Sequence, residues 1–328
     1  MNEQRTYKIL SLDGGGIKGV FPAALLARLE EHLEEPIGRY FDLIVGTSTG
    51  GIIAIGLGMG LTASAILDLY VEKGPAIFGQ NRHPALNEIR RRVPGVRKPK
   101  HSSAPLEEAL KGVLSDRRLG ESRNRLVIPA WNRELERVYL YKTAHHPRLE
   151  TDFRQPAIDA AMATAAAPTF FAPYLTSAEV ELVDGGVWAN NPIGVAVTEA
   201  VGMLGWPADR LKVLSIGTIA EVRHVPRKMT SFQMVGSLYV TQLFMAGQAH
   251  GAMGAARIIT GENPNHKAIW RIDQQAPKGR YGLDHTQRIA ELKSRAFSEA
   301  RDQLPVLRQH FFDDLAEPFV PHYQLEAA

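Results

Sequence analysis

Two short apolar runs near the N-terminus each break on glycines and pass straight into a helical pattern. No other feature of the chain constrains its fold as much. Tyr7 to Leu12 reads as a buried strand, with Ile9, Leu10 and Leu12 apolar. The glycine-rich loop Asp13 to Gly19 follows. Phe21 to Leu33 then sets Leu25, Leu26, Leu29 and Leu33 at helical spacing. Leu43 to Val45 repeats the unit: an apolar strand, a turn at Gly46 to Gly50, and a small-residue helix over Gly51 to Leu57. Strands that alternate with helices imply parallel neighbours, because a parallel pair needs a crossover long enough to hold a helix. The expected fold is α/β, with a mostly parallel central sheet covered by helices on both faces.

Later segments extend the pattern. Ala63 to Tyr70 reads as a helix capped by Thr62, and Pro105 opens another through Leu114. Pro156 opens an alanine-rich helix that ends before Pro168. Leu126 to Ala130 and Val138 to Tyr141 read as paired strands. Val180 to Val183 is a strand ending in Asp184-Gly185-Gly186, Pro192 opens a helix, and Leu211 to Ile216 is a buried strand. Gln80 to Ser103, polar and broken by Pro84, Pro94 and Pro99, reads as a surface loop. The last third differs. Met229 to Ile259 is helical and rich in Gly, Ala and Met, with Phe232, Tyr239 and Phe244 expected to pack inward; a membrane-facing or self-associating helix is the alternative. His266 to Ile272 is a single strand, and Asp284 to Phe312 is helical and charged. The expected organisation is an α/β domain over residues 1–218 and a mostly helical C-terminal extension, 219–328, packed on it.

A chain of 328 residues, 45% hydrophobic and 22% charged, can bury an ordinary globular core. It contains no cysteine, which excludes a disulfide scaffold, a cysteine nucleophile and a thiolate metal centre. Lys and Arg number 38 against 35 Asp and Glu, and a net charge of +3 does not imply a DNA or RNA duplex as partner. The longest apolar stretch, Ile52 to Leu61, contains three glycines and is about half the length of a spanning helix. Met1 to Thr6 is polar and lacks the order of a signal peptide. The cytoplasm is the expected location.

Three motifs carry chemistry. Gly46-Thr47-Ser48-Thr49-Gly50 lies between a buried strand and a helix, the setting of a nucleophile elbow, in which a serine oxygen projects at a helix N-terminus. Asp13-Gly14-Gly15-Gly16-Ile17-Lys18-Gly19 ends the first strand, and consecutive glycines let backbone N–H groups converge on an anion. The anion can be an oxyanion or a phosphate. Gly14, Gly16 and Gly19 match the dinucleotide pattern G-x-G-x-x-G, but no acidic residue closes a second strand where a ribose site needs one. Asp184-Gly185-Gly186 also ends a strand, which can set its aspartate at the sheet edge beside the serine.

In this order the three motifs resemble the patatin-like phospholipase family. Ala163 to Phe171 (ATAAAPTFF) and the run from Asp184 through Asn190-Asn191-Pro192 match as well, and Lys18 fills a position that is usually Arg or Lys. The resemblance covers Tyr7 to Thr218. It implies a Ser–Asp dyad, with Ser48 as nucleophile, Asp184 as general base and an oxyanion hole on Gly14, Gly15 and Gly16. Gly46 and Gly50 shape the elbow, and Lys18, Gly19, Gly185 and Gly186 support the site. No metal and no cofactor is implied. The implied substrate is phospholipid at a membrane surface, with the protein peripheral to the inner membrane when active.

The rival arrangement is a Ser–His–Asp triad using His224, His250, His266, His285, His310 or His322, none of which follows a strand in a recognisable loop. His145-His146 lack carboxylates at ligand spacing and are expected in a loop. A narrower resemblance rests on Phe41 to Val45, the elbow, Leu69-Tyr70 to Pro75, and Tyr141 to Pro147. These are similar to the patatin-like effectors of bacterial anti-phage systems, which a cyclic oligonucleotide switches on. That implies a cyclic oligonucleotide activator held by Arg and Lys. Arg90, Arg91, Arg92, Arg97, Lys98 and Lys100 form one basic cluster, and Arg223 to Lys228 another. The tail after Thr218 is where a homo-oligomer would form. Two other readings stand beside this one: a soluble esterase acting on non-lipid acyl esters, and a nucleotide-binding protein using the glycine-rich loop.

Overall fold

In the computed structural model, residues 5–79, 99–222, 239–277 and 279–326 are described. β1 (Tyr7–Leu12) and β2 (Leu43–Gly46) are buried on both faces, apart from the half-buried Tyr7. Alternation then divides their side chains. Leu10, Leu12 and Ile44 enter a large cluster on one face, and Ile9, Leu43 and Val45 enter a smaller one on the other. The large cluster is completed by α1 (Val20–Glu30), α2 (Thr49–Gly58), α3 (Ala63–Phe78), α4 (Ala104–Leu114) and α5 (Ala157–Ala165). Thr62 caps α3 by accepting from Ala65 N–H at 3.2 Å. α3 continues past Tyr70 and through Pro75, because Ile77 and Phe78 still have core to bury.

The remaining strands are β3 (Arg125–Asn132), β4 (Arg137–Lys142), β5 (Tyr174–Leu175), β6 (Glu181–Asp184), β7 (Leu211–Val222) and β8 (Ile269–Pro277). The sheet order is β5-β6-β3-β2-β1-β7-β8, with β4 also on β3. The run from β3 through β2, β1 and β7 to β8 is parallel; β4, β5 and β6 join antiparallel. α6 (Gly186–Ala189), α7 (Ile193–Thr198) and α8 (Tyr239–Ile259) follow β6 and β7, and Ile193, Val197 and Ala256 cover the smaller cluster. α9 (Ile289–Leu307) lays Leu292, Ala296 and Ala300 into the large one.

Position 218 falls inside β7, and β8, from the tail, forms the edge strand beside it. The tail therefore completes the sheet as well as its helical cover. Phe244 stands 70% exposed on α8, contrary to its expected inward packing. The helix turns Gln248 and Ala252 inward instead, toward Asn191 and Gly194. Residues 80–98 of the expected surface loop, the basic cluster from Arg90 to Lys98, Arg223 to Lys228, Phe232 and His224 lie outside the described residues.

The placement of β6 governs the site. β3 pairs with β4 along one side from Val127 to Asn132. Its other side is shared: β2 occupies Arg125 to Val127 and β6 occupies Ala130 to Asn132. β2 runs parallel to β3 and β6 antiparallel, so their C-terminal ends face each other across a short gap.

Candidate active site

Ser48 stands where β2 turns into α2. Its backbone has φ 55° and ψ −125°, a left-handed conformation that costs a non-glycine residue of order 1–3 kcal/mol. The turn is tight enough that a Cβ on Gly46 would sit 2.1 Å from the carbonyl oxygen of Gly50. Gly50 in turn lies against the carbonyl of Leu12, at the end of β1. Neighbours hold the strained turn. Ser48 N–H donates to Thr164 Oγ1 at 2.9 Å, and Thr164 donates onward to the Pro129 carbonyl at 2.6 Å. Thr47 Oγ1 donates to the Ala189 carbonyl at 2.7 Å.

Asp184 closes β6 on the far side of the gap. Ser48 Oγ donates to Asp184 Oδ2 at 2.6 Å, and Gly186 N–H donates to Asp184 Oδ1 at 2.6 Å. Gly185 lies against the Pro129 carbonyl, which places the chain for that second bond. Ser48 is 8% exposed and Asp184 4%. Burial pushes the Asp184 carboxyl from 3.8 up to about 7, against the opposing pull of its bonds from Ser48 and Gly186. A carboxylate in that range is a competent proton acceptor near neutral pH.

The glycine-rich loop borders the serine: a Cβ on Gly14 would lie 3.1 Å from Ser48 Cβ. Gly14 N–H is committed to the Asn190 carbonyl at 3.0 Å. The amides of Gly15 and Gly16 open a 3₁₀ turn, Gly16–Gly19, where N–H groups have no partner within the turn. Of the three glycine amides expected to take an oxyanion, those two carry no such commitment among the described residues. Gly16 has φ +58°, and the Leu283 carbonyl sits where its Cβ would be. Lys18 Nζ donates to the Ile219 carbonyl at 3.0 Å, and Gly19 lies against Thr49.

A family model described as patatin-like phospholipase matches residues 10–197, a span that holds Ser48, Asp184 and the glycine-rich loop. The chain belongs to the patatin-like phospholipase family. Two bacterial relatives are each named cGAMP-activated phospholipase. The one from Vibrio cholerae is 36% identical over 229 residues, 65% of this chain and 64% of its own length. The one from Pseudomonas aeruginosa is 39% identical over 216 residues, 65% of this chain and 63% of its own. Patatin-like protein 2 of Arabidopsis thaliana is 33% identical over 245 residues, covering 64% of this chain and 59% of that protein. The chain thus spans just under two thirds of the length of the curated relatives it matches.

In this patatin-like site, among the described residues, no histidine is hydrogen-bonded to Ser48 or Asp184. His250 is exposed on α8, His285 accepts from Gly282 N–H, and His310 lies against Trp270. His146 and His322 face each other. His145 lies in a loop but is buried, with Nε2 2.8 Å from Glu199 Oε1. Lys142 Nζ reaches the same carboxylate at 2.6 Å. Among the described residues no cluster could hold a metal ion, and no helix is long and apolar enough to cross a membrane.

The sequence assigns no role to Thr164, Asn190 or Arg271. Thr164 and Asn190 sit inside segments that match the family, so their positions carried a signal. Arg271 lies outside residues 10–197 and carried none.

Proposed function

We propose that the protein hydrolyses acyl esters of membrane phospholipids, with Ser48 as nucleophile and Asp184 as its base. The observation that carries this reading is the direct 2.6 Å bond from Ser48 Oγ to a buried, proton-accepting carboxylate. Asp184 takes the serine proton as Oγ attacks the ester carbonyl carbon. The carbonyl oxygen becomes an anion and accepts from the Gly15 and Gly16 amides, each worth ~2.7–4 kcal/mol in such sites. The C–O bond to the glycerol side breaks, and Asp184 returns the proton to the departing alkoxide. Water then attacks the acyl-serine, gives its proton to Asp184, and releases the fatty acid. Ser48 leaves with its proton restored.

Activation by a cyclic oligonucleotide belongs to the same reading, supported by the names of the two bacterial relatives. So do a cytoplasmic location, peripheral contact with the inner membrane and a role in anti-phage defence. A phospholipase facing its own cell's membrane needs such a restraint.

The test is lipid mass spectrometry on phosphatidylethanolamine–phosphatidylglycerol vesicles with purified full chain, with and without cGAMP. Release of fatty acid and lysolipid that Ser48→Ala abolishes supports the hydrolase. Release that cGAMP multiplies supports the switch. Intact lipid under both conditions, together with a serine that no fluorophosphonate labels, rejects the reading.

A further inference from the structure

We infer that Arg271, on β8, is a positioning residue for the glycine-rich loop, acting through Asp13. The inference rests on the hydrolase reading and adds to it a part of the machinery supplied by the tail, outside the residues that match the family.

Arg271 Nη1 donates to Asp13 Oδ1 at 2.9 Å and Nη2 to Asp13 Oδ2 at 2.6 Å, a two-point grip that fixes the plane of the carboxylate as well as its place. Nη1 also donates to Ser215 Oγ at 2.8 Å and Nη2 to Asp273 Oδ2 at 3.1 Å. The Asp13 side chain is 8% exposed and that of Arg271 19%. Asp13 is the last residue before Gly14-Gly15-Gly16.

The sheet register explains the reach. Arg271 lies beside Ser215 on β7, and Ser215 beside Ser11 on β1. Residues paired across strands share a face, and Asp13, two residues past Ser11, returns to that face. Ser215 is small enough to let the guanidinium pass over β7. Gly217 leaves it room at the end, since a Cβ there would lie 2.4 Å from Arg271 Nη2. Arginine, serine and glycine on two neighbouring strands thus form one lane that ends on Asp13.

The consequence is geometric and electrostatic. Asp13 N–H already donates to the Ile216 carbonyl at 3.0 Å, so backbone and side chain together fix the residue that launches the loop. Its buried carboxylate also carries a negative charge, one residue before the loop. Arg271 neutralises that charge with a group that stays ionised. Losing Arg271 would misaim the Gly15 and Gly16 amides and leave the Asp13 carboxyl buried without its ion-pair partner.

The experiment measures p-nitrophenyl butyrate hydrolysis and the rate of fluorophosphonate labelling of Ser48 in the full chain. Arg271→Met is expected to lower kcat and the labelling rate by about 100-fold with KM little changed, the scale of an ångström of misplacement. Arg271→Lys, which keeps the charge and loses the fork, is expected about 10-fold below the wild type. Adding Asp13→Asn to Arg271→Met is expected to recover part of kcat. The pH midpoint should stay at the wild-type value, because the surroundings of Asp184 are untouched. If Arg271→Met does not fold, Arg271→Lys carries the same comparison. Folded variants that label at the wild-type rate, or that lose only KM, overturn the inference alone. A wild-type chain that neither labels nor hydrolyses, with and without cGAMP, overturns the hydrolase reading, and this inference with it.

Discussion

Ser48 and Asp184 meet because β2 and β6 approach end to end along one side of β3, which leaves Ser48 Oγ 2.6 Å from Asp184 Oδ2. The pair is held on both sides: a strained elbow holds the hydroxyl, and the Gly186 amide holds the carboxylate. A buried carboxylate held this way has consequences that can be measured.

The first is the pH dependence of turnover. Asp184 works as a base only when ionised, and burial has raised its carboxyl to about 7. kcat/KM on a soluble ester should therefore rise with pH through a midpoint near that value. Replacing His250, His285, His310 or His322 should leave the midpoint in place. A midpoint that moves with one of these histidines would restore the triad.

The second is a trade between activity and stability. The native state holds the Asp184 proton more tightly than the unfolded chain, whose carboxyl stays near 3.8. Its share of stability is therefore intact below the unfolded value and is lost as pH rises through the folded one, at about 1.4 kcal/mol per unit of separation. Asparagine has no charge to bury. Asp184→Asn should cut activity by roughly 10⁴-fold. It should also melt above the wild type at alkaline pH, and the gap should close as pH falls toward the carboxylate range. Thermal melts across pH check this, and a gap that does not change with pH would contradict it.

The third concerns Gly15. A Cβ there would sit 2.5 Å from Thr218 Cγ2, so Gly15→Ala must displace the loop or the Thr218 side chain. kcat should fall more than KM rises. Thr218→Ala, which removes that methyl, should restore part of kcat in the double variant. A double-mutant cycle measures the coupling, and simple additivity would show that the contact is not the cause.

The fourth concerns Thr164, which accepts from the Ser48 amide and donates to Pro129. Thr164→Val strands both buried partners, at about 1–3 kcal/mol for each group left unsatisfied. Melting temperature and the labelling rate of Ser48 should fall together. Thr164→Ser keeps the hydroxyl and should retain the labelling rate.

What could be read from the chain was local. The apolar run before Gly46 and the small-residue helix after Gly50 form a strand–turn–helix, and there the structure holds Ser48 at an elbow. Glycines after Leu12 allow a loop with converging amides, and the structure sets that loop against Ser48. These features depend on backbone conformations a few residues long, which residue types select almost alone.

What the tertiary structure decided was which of these local pieces meet. Apolar alternation marks β6 as a strand but says nothing of its direction, and only the antiparallel pairing with β3 aims Asp184 at Ser48. The tail reads as mostly helical, yet β8 within it closes the sheet edge and carries Arg271 to Asp13, 258 residues away in the chain. The Gly14 amide looks free in sequence and is taken by Asn190 in the fold. Contacts of this kind depend on strand order and register, which are set by how every apolar face is buried at once rather than by any short stretch of residues.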